Sequence, residues 1–450
     1  MQRTGTGRWL RPAGRRSSGG REGMPEAGDA NPEKYMRTLF TGAAALAAFA
    51  SQTAHAAPGD PIKIGDGLSL DPIVDARLRH EHVDTPTLDA DAVTLRVRAG
   101  FEVKHSSGLA LLTEAEGTMA IVKDYNAFPF AIADSQRRPT HAVVADPMNV
   151  ELNRLQLQYK SKTLTLTVGR QRINLDDQRF VGSVGWRQNE QTFDAARAEA
   201  KLGPISLDGT YAIGQRTVFG VDGGPRTAYD GNFVFLGAGA KLGPIQAKGF
   251  AYLLDYDLNE QAGALGASNA DTQTYGVRLS GAFPLSKAAK LNLVASYARQ
   301  SDWKENPSRY GIDYFNAEAG IAYKAFGLTA GYEMLGGNGG RAFQTPMATL
   351  HKFNGWADLF LTTPASGLED WYGGASYKFA GVKALPGLNA AVTIHRFESD
   401  LGSAHYGDEW DASLGFRQGP VNLLGKYARY EAASFGVDTS KFWLQAEVAF

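Results

Sequence analysis

The densest chemistry in this 450-residue chain lies between Val168 and Ala198. There Arg170, Arg172, Arg179, Arg187 and Arg197 stand among Asp176, Asp177, Glu190 and Asp194. A guanidinium stays charged at any relevant pH and grips a carboxylate through two parallel N–H bonds. Such a run can hold the acidic groups of a solute, or it can knit with its own carboxylates into a rigid lattice. Catalytic constellations are weak by comparison. No G-x-S-x-G elbow, phosphate loop, HExxH or EF-hand is present. His395 and His405, near Ser399 and Ser403, are the only pairing a surface hydrolase could use, and their spacing gives them no special credit. Asp89 with Asp91, and Asp255 with Asp257, read as solvated carboxylates, because calcium needs six or more oxygen ligands. The expectation is a protein that is not an enzyme and carries no cofactor or metal.

Composition narrows the class further. The absence of cysteine removes disulfide frameworks, zinc–cysteine sites and thiol nucleophiles. A formal charge of −1 leaves no general basic face for nucleic acid. The 52 glycines, 23 phenylalanines and 18 tyrosines suit thin strands with one apolar face better than a buried globular core.

The elements that must position these charges are strands. Asp75, Arg77, Arg79 and Glu81 alternate with Val74, Ala76, Leu78 and His80. Arg96 and Arg98 do the same against Leu95, Val97 and Ala99, and Thr163, Thr165 and Thr167 against Leu164, Leu166 and Val168. Period-two alternation places the two sets on opposite faces of a strand. Short turns such as Gly203-Pro204, Gly243-Pro244 and Gly419-Pro420 alternate with long polar loops at 123–147, 173–190, 218–230, 259–270, 303–313 and 336–370. That rhythm is the mark of an all-β transmembrane antiparallel barrel, porin-like, and the turn parity counts eighteen strands with both ends on the periplasmic side. Residues 352–361 are the one ambiguous piece, and the count of eighteen treats them as part of a long loop. Charges on the lipid face cost about 2–4 kcal/mol at mid-membrane, so the strand charges point inward. The inward set includes Arg77, Arg79, Arg98, Glu114, Glu116, Arg154, Arg197, Glu318, Glu333 and Glu447.

Residues 36–56 read as a secretory signal peptide: Arg37, the apolar run 39–50, and the Ala54-His55-Ala56 cleavage site. Residues 1–35 then read as an over-long N-terminal extension. The barrel occupies 57–450, a stretch of 394 residues with a formal charge of −5. Its last strand, Lys441 to Phe450, sets Phe442, Leu444, Ala446, Val448 and Phe450 on one face. This ending resembles the signal by which the barrel assembly machinery of Gram-negative bacteria takes proteins into the outer membrane, and outer-membrane lipid is the expected surrounding.

Within this frame the residues of the dense stretch become specific. Thr167-Val168-Gly169-Arg170-Gln171, Asp177-Gln178-Arg179-Phe180-Val181-Gly182 and Trp186-Arg187-Gln188-Asn189-Glu190-Gln191-Thr192-Phe193-Asp194-Ala195 resemble the alginate-export family of outer-membrane barrels. Further echoes are Glu151–Arg154, His351–Asp358 and Gly367–Asp370. The resemblance implies an eighteen-stranded barrel whose Arg-lined pore passes anionic polysaccharide or related uronates. Carried over by motif, Arg170, Arg179, Arg187, Asp194 and Arg197 are expected to line the pore, with Arg154 from the adjoining strand and Glu190 beside them. General diffusion of small solutes, or a binding barrel that works through its loops, are the alternatives.

Overall fold

A computed structural model of the chain describes residues 60–257 and 271–450. The expected signal peptide and N-terminal extension lie outside the described residues. Alternating sequences pair in order, each strand antiparallel to the next. The strands are β1 (Ile62–Gly65), β2 (Leu68–Asp84), β3 (Asp89–His105), β4 (Leu109–Asp124), β5 (Asn149–Lys160) and β6 (Leu164–Gln171). They continue with β7 (Thr192–Leu202), β8 (Ile205–Arg216), β9 (Ala228–Leu242), β10 (Ile245–Tyr256), β11 (Thr272–Pro284), β12 (Ala289–Asp302) and β13 (Gly311–Tyr323). The last are β14 (Phe326–Leu335), β15 (Leu368–Lys378), β16 (Asn389–Glu398), β17 (His405–Gln418), β18 (Val421–Ala432) and β19 (Thr439–Ala449).

β19 returns to pair with β2, so β2–β19 form a closed barrel of eighteen strands, and the short β1 adds only a hairpin on β2. Closure satisfies every edge, which a wall in lipid requires. The terminal Phe450 takes part: its N–H donates to Val74 O at 2.8 Å. Two-residue Gly-Pro turns join β7 to β8, β9 to β10 and β17 to β18. Their glycines sit at φ of 62°, 62° and 58°, at the first turn position, where a hairpin of this type favours glycine. Residues 352–361 are not a strand. A 3₁₀ turn at Leu350–Lys352 lies in the 336–367 loop, as the count of eighteen assumes.

The outer face is a band of Leu, Val and Ile between two aromatic belts. Tyr159, Tyr323, Phe326 and Phe379 are exposed near the short turns, and Tyr275, Tyr297, Trp371 and Trp410 near the long loops. Amphipathic rings at both edges of an apolar band are what a membrane interface selects.

The inner face is not polar throughout. Phe193, Phe233, Phe235, Phe250 and Tyr252 point inward and are buried. They are covered by two long loops, 172–191 and 336–367, that fold down inside the barrel. Phe180 of the first loop packs on Phe250, Tyr314 and Phe343 with ring centroids 5.1, 5.2 and 6.0 Å away. Phe360 of the second packs on Phe397 and Phe435 at 4.6 and 5.2 Å. The loops also join each other through a Val181–Met347 bridge, with Gly182 N–H on Met347 O at 2.9 Å.

Candidate functional site

The segment Trp186-Arg187-Gln188-Asn189-Glu190 is laid across the inner wall, one residue or two per strand. Arg77 and Arg79 of β2 donate to Trp186 O, at 3.1 and 2.6 Å. Gln188 Nε2 donates to Thr94 Oγ1 of β3 at 2.8 Å, and Thr118 Oγ1 of β4 donates to Asn189 Oδ1 at 3.0 Å. Glu190 N–H donates to Glu116 Oε1 at 3.0 Å, and its carboxylate takes Asn153 Nδ2 of β5 at 2.6 Å and Arg98 at 3.1 Å. This run of polar residues is therefore an inner girder whose hydrogen bonds are fixed by the strands beneath it.

The arginines around it are paired. Arg77 meets Glu447 at 2.8 Å, and Arg98 meets Glu116 as well as Glu190. Arg154 meets Glu114 at 2.6 Å, and Arg172 bridges Glu114 and Glu190. Arg179 holds Glu333 at 2.7 Å, Thr345 at 2.9 Å and Asn354 at 3.1 Å. Arg187 joins Glu81 at 3.2 Å to Asp358 at 3.0 Å, tying the first loop to β2 and to the second loop. Burial works against the charge of Arg187, yet the carboxylates of Glu81, Asp146 and Asp358 raise its pKa above the usual arginine value. Arg179 is raised in the same way by Glu333, against its burial. A buried charge needs this compensation. Arg197 pairs with Asp208 and Glu199.

Two of the expected pore-lining residues do not face the lumen. Arg170 and Asp194 are register partners and bind each other through two bonds of 2.8 Å. Arg170 shares its face with Leu166 and Val168 and lies opposite Leu155, all exposed outward. The phase of β6 carries the arginine to the outer side, so the pair is a clasp on the outside of the wall.

Open space lies on the other side of the loops. A cavity of about 670 Å³ runs along β11–β18, from Gly327 and Ser376 near the short turns to Glu333 and Asp370 beneath the loops. None of Arg77, Arg79, Arg98, Arg154, Arg170, Arg179, Arg187, Glu190, Asp194 and Arg197 lines it. Its lining combines rings (Trp186, Trp356, Phe353, Tyr314, Tyr372), carboxylates (Asp177, Glu318, Glu333, Asp370, Asp411) and cations (Arg278, Lys352, Lys426). Arg278 meets Asp177 at 2.9 Å, and Tyr372 donates its hydroxyl to Glu318 at 2.8 Å. His395 is turned to Asp370 at 2.9 Å and Ser399 Oγ to Leu401 O at 2.8 Å, so the two do not form a catalytic pair.

Between the lattice and the cavity sits a cluster that sequence reasoning missed. Asp358 accepts from Arg187 and Lys441, each at 3.0 Å, and from His351 Nδ1 at 2.8 Å. His351 stacks on Trp186 at 4.6 Å, 7° from parallel. Burial pushes His351 down to about 3, and the nearby Lys426 adds to this against the pull of Asp358, so the ring is neutral at neutral pH. The Asp358 carboxyl is held well below its ordinary range despite burial, because His351, Lys441 and Arg187 surround it. The next loop residues dock by backbone: Trp356 and Ala357 N–H donate to Asp411 and Glu409 at 3.3 and 2.8 Å. Gly355, at φ 82°, has no room for a side chain, because a Cβ there would run into the Glu409 carboxylate. The Asn354-Gly355 pair beside Trp356 is the only sequence trace of this close approach.

No curated protein matches the sequence. Among solved structures, OpdL of Pseudomonas aeruginosa superimposes with a TM-score of 0.62 at 16% identity, covering 85% of this chain and 98% of that one. OpdK of the same organism, solved with vanillate, gives 0.62 at 14%, covering 84% and 98%. OccAB3 of Acinetobacter baumannii gives 0.63 at 14%, covering 84% and 99%. These likenesses are of fold. The family described as alginate export matches residues 85–335, more than half of the chain. With its closed eighteen-strand wall, its two membrane belts and that match, the chain belongs to the alginate-export family of outer-membrane β-barrel channels of Gram-negative bacteria.

Proposed function

We propose that this barrel passes small hydrophilic acids of the sugar type, uronates and their short oligomers, through the cavity along β11–β18. The observation that carries the reading is the mixed lining of that cavity: rings, hydrogen-bonding carboxylates and cations together. Rings suit the C–H face of a sugar, carboxylates and hydroxyls suit its hydroxyl groups, and Arg278, Lys352 and Lys426 suit its carboxylate. The inward arginines play a different part in this reading. Spent on Glu and Asp partners, they hold the loops so that the passage keeps its width. The short-turn end, where β2 begins and β19 ends, faces the periplasm, and the last strand through Phe450 is the segment presented to the barrel assembly machinery. No step in this reading requires catalysis.

The test is conductance in planar bilayers with oligouronates or neutral oligosaccharides of equal length added to one side. The reading expects uronates to block current at lower concentration than neutral sugars and the reversal potential in a salt gradient to favour anions. Equal block by both, or cation preference, would overturn it. A second reading, general diffusion without anion preference, is favoured by the complete pairing of the lattice arginines, and it expects a reversal potential near zero.

A further inference from the structure

The proposed passage has three cations at its lining, and they differ in how much of their charge it can feel. Arg278 is offset by Asp177 at 2.9 Å. Lys352 is exposed, so water screens it, and its ammonium donates to Asp177 O at 2.8 Å. Lys426 is buried, and its nearest neighbours are neutral. Its ammonium lies over Trp356 at 3.6 Å and Trp186 at 3.9 Å, and it donates to His351 Nε2 at 2.8 Å. His351 can accept because its Nδ1–H is committed to Asp358. That fixes the tautomer and aims a lone pair at the lysine. Of the carboxylates facing the lysine, Asp358 is already shared by three donors, Asp411 takes the Trp356 N–H, and Glu81 takes Arg187.

We infer that Lys426 is the residue that sets the charge preference of the passage, and that the Asp358–His351 dyad and the two indoles position it there. The inference rests on the cavity being the conducting route. An ammonium held over aromatic faces is attracted by the rings while losing water, and in a low-dielectric wall its field reaches further than that of a screened or paired group. His351 acts as a positioning residue: it holds the ammonium at the cavity edge without itself carrying charge.

The experiment measures reversal potentials in a potassium chloride gradient for the purified full-length barrel and its variants, with folding checked by heat-modifiable gel mobility. Lys426→Gln should lower the chloride-to-potassium permeability ratio about twofold or more. Lys426→Arg should restore the ratio, and Lys352→Gln should shift it less. An unchanged ratio in folded Lys426→Gln, or a larger shift from Lys352→Gln, overturns the inference. Should Lys426→Gln fail to fold, Ser413→Lys tests the same point on the wall. Ser413 is the register partner of Lys426 on β17, so a second cation there should raise the ratio, and no change would overturn the inference. Failure of the uronate reading is a separate result: equal block by uronate and neutral sugar with the Lys426 shift intact removes that substrate and leaves the lysine's role standing.

Discussion

The two sides of the lumen use charge in opposite ways. On the β2–β5 side, joined by β19, Arg and Glu stand so densely that Arg77, Arg98 and Arg154, and Arg187 from the first loop, each find a carboxylate within about ion-pair distance. The first loop lies on that side as a girder hydrogen-bonded to β2–β5. On the β11–β18 side the charges are sparser, rings and small polar residues intervene, and a cavity of about 670 Å³ remains open. The difference teaches that a count of arginines in a barrel does not locate its selective surface. Where acids match the arginines one for one, their fields cancel and the result is rigidity; where a cation lacks an acid, its field remains.

The sharpest way to break this comparison is Arg187→Ala. It strands Glu81 in a buried site and leaves Asp358 to His351 and Lys441 alone, and the expected loss is about 3–5 kcal/mol of stability. The readout is a lower temperature for loss of heat-modifiable mobility, with the reversal potential unchanged. A shifted reversal potential at unchanged stability would show that the lattice side selects after all. Phe360→Ala should follow, at about 3 kcal/mol, because it empties the aromatic anchor of the second loop against Phe397 and Phe435. Protease cleavage within 336–367 and noisier single-channel current would report it.

Acid offers a gentler probe of the same loop. His351 is held near 3 against an ordinary 6.5. A chain with the loop released therefore takes up a proton between about pH 6.5 and 3 that the packed loop refuses. Packing stability is full above that window and falls as pH drops through it. Asp358, held below its ordinary range, contributes in the same direction, its share being lost as acid protonates it. Protease cleavage of 336–367 should rise from pH 7 to pH 4, and His351→Phe should flatten that rise. The smallest effect is expected from Arg170→Ala. The Arg170–Asp194 clasp is on the outer face and partly exposed, so its loss should cost no more than about 1 kcal/mol and leave conductance as it was.

Much of this molecule was legible in the sequence, and the particular residues show why. Arg77, Arg79 and Glu81 fall on the inner face because alternation within one strand is a local property, and it needs no knowledge of the partner strand. Arg170 escaped the same reasoning because the motif resemblance, rather than the strand phase, assigned it to the pore. The inward aromatics were missed for another reason. In Asn232-Phe233-Val234-Phe235-Leu236 both faces are apolar, so alternation vanishes. A strand apolar on both faces inside a membrane barrel is itself the sign that something packs within.

The sequence by itself determined the barrel: eighteen strands, their faces, the closing strand that ends in Phe450 and the family to which the chain belongs. Each of these follows from periodicity, turn residues and motif strings that are written locally. Only the tertiary structure decided which charge meets which. Arg77 finds Glu447 across 370 positions and Arg179 finds Asn354 across 175. Both contacts exist only because the wall closes and two loops fall inside it. A loop comes to rest where the summed contacts of many distant strands are best, and no short stretch of chain carries that sum. For that reason the arginines were visible from the start, while the lysine between two indoles was not.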